Sequence, residues 1–120
     1  MRHIFMTALL DTGNTVMSST AVSSGQVLYS QGINTVRGIG FASLYLSMSG
    51  HLSVGFQVAM SNGAWVTPTD ENAIDLSVIA SALTGSSKYI QYTPVLAPWT
   101  RFFFTAHSNS TVTPVFCLQE

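Results

Sequence analysis

From Leu52 to Met60 every second residue is apolar, and Ser53, Gly55, Gln57 and Ala59 between them are small or uncharged. A repeat of two marks an extended strand whose side chains alternate between faces. The same repeat runs through 41-FASLYLSMS-49, setting Ala42, Leu44, Leu46 and Met48 against Ser43, Tyr45, Ser47 and Ser49. It returns in 88-KYIQYT-93, 99-WTRFFFTAH-107 and 111-TVTPVFCLQ-119, with turn residues between the runs. The chain therefore reads as all-β.

Residues 2–10 make a first candidate strand, with Ile4, Met6 and Ala8 on one face. Residues 11–25 are rich in Ser, Thr and Gly and read as a loop or a loosely paired edge strand containing Val16 and Val22. Residues 1–25 are thus an arm or an edge strand of a single domain spanning 1–120. Gly50-His51 is expected to fold 41–60 into one long hairpin, and Asn62-Gly63 to make a second hairpin-type turn leading to Trp65 and Val66. In 67–85 an acidic helix start competes with the alternation of Leu76, Val78 and Ala80. A short helical turn or loop followed by a strand suits the β surroundings. Pro114 predicts an edge position or a bulge. About eight short strands in a chain of this size suit a two-sheet antiparallel sandwich, jelly-roll-like, with at most one short helical turn.

Composition bears on the faces turned away from the core. Charged residues are 8% of the 120, where about 25% is usual. Hydrophobic residues are 47% and mean hydropathy is +0.35, yet no run approaches the ~18 apolar residues of a membrane helix. Four Lys/Arg and a net charge of −1 leave no electrostatic footprint for nucleic acid. The last two strands are apolar on both faces: Phe103 opposes Phe102 and Phe104, while Val115 and Cys117 oppose Val112, Phe116 and Leu118. A two-layer sandwich needs one apolar face per strand. The second face is expected to meet a loop, the N-terminal segment or another subunit.

Motifs that carry chemistry are scarce. The single Cys117 lies in an apolar run and reads as a buried thiol. With His3, His51 and His107 it offers no zinc spacing. Asp70, Glu71 and Asp75 lack the calcium-loop pattern and read as a polar turn or helix start. Gly38-Ile39-Gly40 lacks the third glycine of a dinucleotide loop. No G-x-S-x-G elbow occurs, and Asn109-Ser110-Thr111 has the letters of a glycosylation acceptor. The apolar run near the start is short and interrupted by Thr7, so the expectation is a soluble, cytoplasmically made protein rather than one with a cleaved leader. No catalytic residue, cofactor site or metal site is expected. Trp99 and Arg101 are the candidate structural anchors, because a guanidinium can stack on an aromatic ring while reaching a carboxylate or carbonyls. Alternatively, Trp65, Trp99, Tyr45, Tyr89 and Tyr92 could form a sugar-stacking platform.

Gly50, 54-VGFQVAMSNGAW-65, Pro68, 92-YTPVLAPWTRFFFTA-106 and the closing 115-VFCLQE-120 together cover the layout of roughly residues 35–120. This layout resembles the small jelly-roll cement, or decoration, proteins of tailed bacteriophage capsids. The resemblance implies a protein of the virion that binds the outside of an icosahedral head between major capsid subunits and locks the shell. It implies neither catalysis nor a cofactor. The partners expected are the major capsid protein and further copies of the chain, as a homodimer or homotrimer, with neither nucleic acid nor membrane. The alternatives are a head–tail connector or tail structural protein, and a carbohydrate-binding, lectin-like adhesin module.

Overall fold

A computed structural model of the chain describes residues 3–7, 10–11, 20–34, 41–95 and 97–119. They form eleven strands: β1 (His3–Thr7), β2 (Leu10–Asp11), β3 (Thr20–Val22), β4 (Val27–Ser30), β5 (Ile33–Asn34), β6 (Phe41–Met48), β7 (Leu52–Ala59), β8 (Val78–Leu83), β9 (Ser87–Tyr92), β10 (Trp99–Ala106) and β11 (Ser110–Gln119). All pairings are antiparallel, and no helix occurs among the described residues.

Sheet I has the order β1-β11-β6-β9, with β3 also paired to β11; sheet II has the order β2-β4-β10-β7-β8, with β5 also paired to β10. Eight strands trace a closed scheme, β3-β11-β6-β9 facing β4-β10-β7-β8. This is the strand order of a jelly roll, two sheets built from interleaved Greek keys. The expected sandwich is therefore the fold observed. Within the N-terminal segment, β1 and β3 line one side of β11 and β2 lies at the edge of sheet II; Val16 and Gly38-Ile39-Gly40 lie outside the described residues.

The expected 41–60 hairpin is not formed. β6 belongs to sheet I and β7 to sheet II, so the chain crosses between sheets at Ser49–His51. Period two reports which way side chains point, but not which sheet a strand joins. The crossing runs beside the β10–β11 connection. The Ser49 amide donates to Ser110 Oγ (3.3 Å), the His51 amide donates to Ser108 Oγ (2.9 Å), and the His107 amide donates to the His51 carbonyl (2.9 Å). A Cβ at Gly50 would sit 2.5 Å from the Asn109 carbonyl oxygen, so this contact needs glycine.

Pro114 is neither at an edge nor in a bulge. It lies opposite Leu46 in an unbroken register, in a strand paired on both sides. The Met48 amide donates to the Ser86 carbonyl, away from β11. By alternation the Pro114 nitrogen points away from β6, toward the interval between Val115 (opposite Thr7) and Val112 (opposite Thr20). The missing N–H thus falls between the two described partners, where it breaks no described ladder bond.

The core lies between the sheets. Phe102 from sheet II meets Phe116 from sheet I with ring centroids 5.1 Å apart, edge to face. Tyr92 closes one side, 6.0 Å from Phe102 and 5.4 Å from Phe56; its burial pushes the phenol well above the usual tyrosine range. Leu44, Leu46, Leu52, Val54 and Val112 fill the remaining layers, fully buried or nearly so. Each such side chain contributes about 1.5–3 kcal/mol by leaving water. Met60 departs from the expected inward set: it follows the end of β7 and is 82% exposed.

The segment before β8 is a loop. The Asp70 carbonyl accepts from the Ala73 amide, and Asp70 Oδ1 accepts from the amides of Asn72 (2.8 Å) and Ile74 (3.0 Å). Thr69 bridges Asp75, making a small hairpin rather than a helical turn. Asn62-Gly63 does turn the chain, with Gly63 at φ 111°, and Val66 pairs with Val58 beyond it.

Candidate functional site

The small face of β7 is covered by its neighbour in the sheet. Gly55 lies opposite Phe103, and a Cβ there would be 2.4 Å from the tip of the Phe103 ring. The ring lies over the glycine, a pairing that lets an aromatic replace the missing side chain. Two positions along, Arg101 faces Gln57 in register, and its Nε donates to Gln57 Oε1 (2.9 Å). Its guanidinium carbon is 4.3 Å from the Tyr29 ring centre and 4.9 Å from that of Trp65. Tyr29 also packs on Phe103, at 6.3 Å. Arg101 is therefore held between two aromatic faces and a side-chain carbonyl, a half-buried cation–π contact of about 1 kcal/mol.

Trp99 shares this face. It is half-buried and lies opposite Ala59 and Asn34, two residues before Arg101. The sequence reading missed Tyr29 and Gln57, whose roles depend on which strands flank β10. Beside the guanidinium lies a polar cleft of about 340 Å³, lined by Ser30, Gln31, Gly32, Asn62, Trp65 and Arg101.

The five aromatics of the sugar-platform reading do not meet. Trp65 and Trp99 lie on the outside of sheet II and Tyr92 faces the core. Tyr45 and Tyr89 oppose each other on the outside of sheet I, with ring centroids 6.2 Å apart. They are 40% and 67% exposed. Around them stand Ser43, Ser47, Ser87, Gln91 and Thr113, with Val115 directly opposite Tyr45. The Ser43 hydroxyl donates to the Tyr89 hydroxyl (3.4 Å), and the Tyr45 hydroxyl donates to Ser87 Oγ (3.5 Å). Among the described residues of this face none is charged.

One serine–histidine contact does form. His107 Nε2 is 2.6 Å from Ser53 Oγ, but the serine hydroxyl donates to the Ser81 carbonyl (2.5 Å). With that hydrogen so directed, Nε2 serves as donor and not as a base, so the contact ties β7, β8 and the end of β10 together. The acidic segment is a turn, and the Asp75 carboxyl is held below its ordinary value of 3.8 by hydrogen bonds from the Ser77 side chain and amide. Among the described residues no three His, Cys, Asp or Glu side chains are grouped to hold a metal ion. The side chain of Cys117 lies outside the described residues.

No family model matches the chain, and no curated protein matches it in sequence. The geometry therefore offers two features of different kinds: an uncharged tyrosine–serine face on sheet I and an arginine–aromatic cluster beside a polar cleft on sheet II.

Proposed function

We propose that this protein is a structural subunit of a virion, a decoration protein that sits on the outside of an icosahedral head between major capsid subunits and stabilises it. The observation that carries this reading is the outer face of sheet I. Tyrosines and hydroxyl side chains without charge lose little on desolvation and place no like charges together when many copies crowd a lattice. Four strands at ~4.8 Å spacing and eight residues at ~3.3 Å rise give a plane of about 500 Å². A standard interface takes about 800 Å² from each partner, so this face and its rim supply most of one. The jelly roll agrees with the reading, since capsid domains use it, although lectins do so too.

The test has two parts. Sedimentation velocity should show a dimer or trimer, and the purified protein should bind expanded heads while ignoring their precursors. Tyr89→Glu should abolish head binding or dissociate the oligomer with an unchanged circular dichroism spectrum. A protein that stays monomeric and binds no shell overturns the reading. The cleft beside Trp65 supports a second reading, because an indole flanked by amides and a guanidinium is a group set suited to sugars. Saturable glycan binding lost in Asn62→Ala would favour it.

A further inference from the structure

Among the described residues, five of the eight exposed large apolar side chains lie within 60–78: Met60, Val66, Ile74, Leu76 and Val78. The register of the small hairpin groups two of them, Ile74 and Leu76. The Leu76 amide donates to the Pro68 carbonyl (2.9 Å), Thr69 bridges Asp75, and the Asp70 amide donates to the Ile74 carbonyl (3.1 Å). Alternation then puts Ile74 and Leu76 on one side of the hairpin with Pro68, and Val78 follows two residues on at the start of β8. The patch runs into a cleft of about 390 Å³ at the open side of the sandwich. Leu76, Val78 and Ile79 line it from one sheet, Tyr92 and Val95 from the other, and the buried Phe56 reaches it from the core.

The small hairpin beside this cleft is acidic. Asp70, Glu71 and Asp75 are three of the chain's five carboxylates, and no Lys or Arg occurs between Arg37 and Lys88. Asp75 itself lines the cleft. Two of these carboxylates are fixed by backbone amides, Asp70 by Asn72 and Ile74 and Asp75 by Ser77, so their position is built in. An apolar patch rimmed by one charge sign marks a protein contact and selects the complementary sign.

We infer that this cleft seats an aliphatic or aromatic side chain offered by a partner protein on a segment with Lys or Arg on both sides of it. The inference rests on the decoration reading for the partner's nature, a shell protein, but the cleft's chemistry stands apart from it. A second copy does not supply this chemistry through its sheet I face, where no described residue is charged.

The probe is acetyl-Gly-Lys-Phe-Lys-Gly-amide, titrated into the full-length ¹⁵N-labelled protein, with the Glu-Phe-Glu peptide as its charge-reversed control. The expected result is saturable shifts at Leu76, Val78, Ile79 and Tyr92, at least about fivefold stronger for the lysine peptide and weakened by salt. Val78→Ser should weaken binding by about tenfold. Val78 is 64% exposed, so the variant should keep its spectral dispersion. Equal binding of both peptides, no saturable shift, or shifts centred on Tyr89 would overturn the inference. So would cleft shifts that appear on concentrating the protein without peptide, which would make a second copy the occupant. Head binding separates the two readings: if Val78→Ser decorates heads as tightly as the parent, the cleft inference fails and the decoration reading stands. If the lysine peptide binds but no head does, the reverse holds.

Discussion

On the outside of sheet II, Phe103 lies over Gly55 and Arg101 fills the space between Tyr29 and Trp65. On the outside of sheet I, Tyr45 and Tyr89 stand exposed among serines. Both faces arise from the same alternation of core and non-core residues. They differ in one respect: β10 sends long side chains outward beside a strand whose outward residues are small, whereas β6 and β9 send hydroxyl-bearing residues outward beside each other. The first face is completed within the chain. The second is left to water or to a partner, which is why stability should concentrate on one and association on the other.

The largest effect should come from beneath both faces. Phe102→Ala, fully buried between Tyr92 and Phe116, should cost about 3–5 kcal/mol, read as a lower denaturation midpoint in urea. Gly55→Val comes next, because the added carbons displace the Phe103 ring; about 1–3 kcal/mol is expected. The matched change on sheet I, Ser43→Val, should stay within about 0.5 kcal/mol, and equal losses at the two sites would break the comparison. Arg101→Lys keeps the charge but loses the planar stack and should cost about 1 kcal/mol, seen as a melting temperature several degrees lower. Tyr89→Ala should weaken self-association, measured by sedimentation, while melting as the parent does at dilutions where both are monomeric. Lower melting of Tyr89→Ala at those dilutions would mean that sheet I, too, is finished internally.

The smallest effect is one of pH. The Asp75 carboxyl has a lowered folded value, so its contribution is complete above its ordinary value of 3.8 and disappears as pH falls through the lower folded one. Acid titration of melting temperature should therefore show a loss below about pH 4 that Asp75→Asn removes.

Much of the fold could be read from residues alone, because alternation follows from the geometry of a strand. The runs at 41–49, 52–60, 88–93, 99–107 and 111–119 each fall on a strand. Alternation carries no address, however. It could not tell that Gly50 crosses between sheets instead of turning a hairpin, nor that Pro114 sits in a central strand with its nitrogen aimed at an interval between two partners. The Arg101 cluster was half legible: a lone arginine beside aromatics asked for a ring and an oxygen, but Tyr29 and Gln57 become its partners only through the register of β4 and β7 on β10. The apolar group at 66–78 was obscured for another reason. Leu76, Val78 and Ala80 alternate as a core face would, yet Leu76 and Val78 are exposed, while Ile79 and Leu83 pack inward.

The rims of the two sheets carry a further consequence. β9 holds Lys88 in the inward set of its edge strand, and β8 gains two extra residues against β7, pairing Leu83, Ala80 and Val78 with Leu52, Val54 and Gly55. A lysine on the edge strand and a kinked border both spoil a template for further strands. Growth by stitching sheet onto sheet, which has no natural end, is thereby discouraged. Contact through these two borders is disfavoured, which leaves the broad outer faces as the surfaces open to a partner.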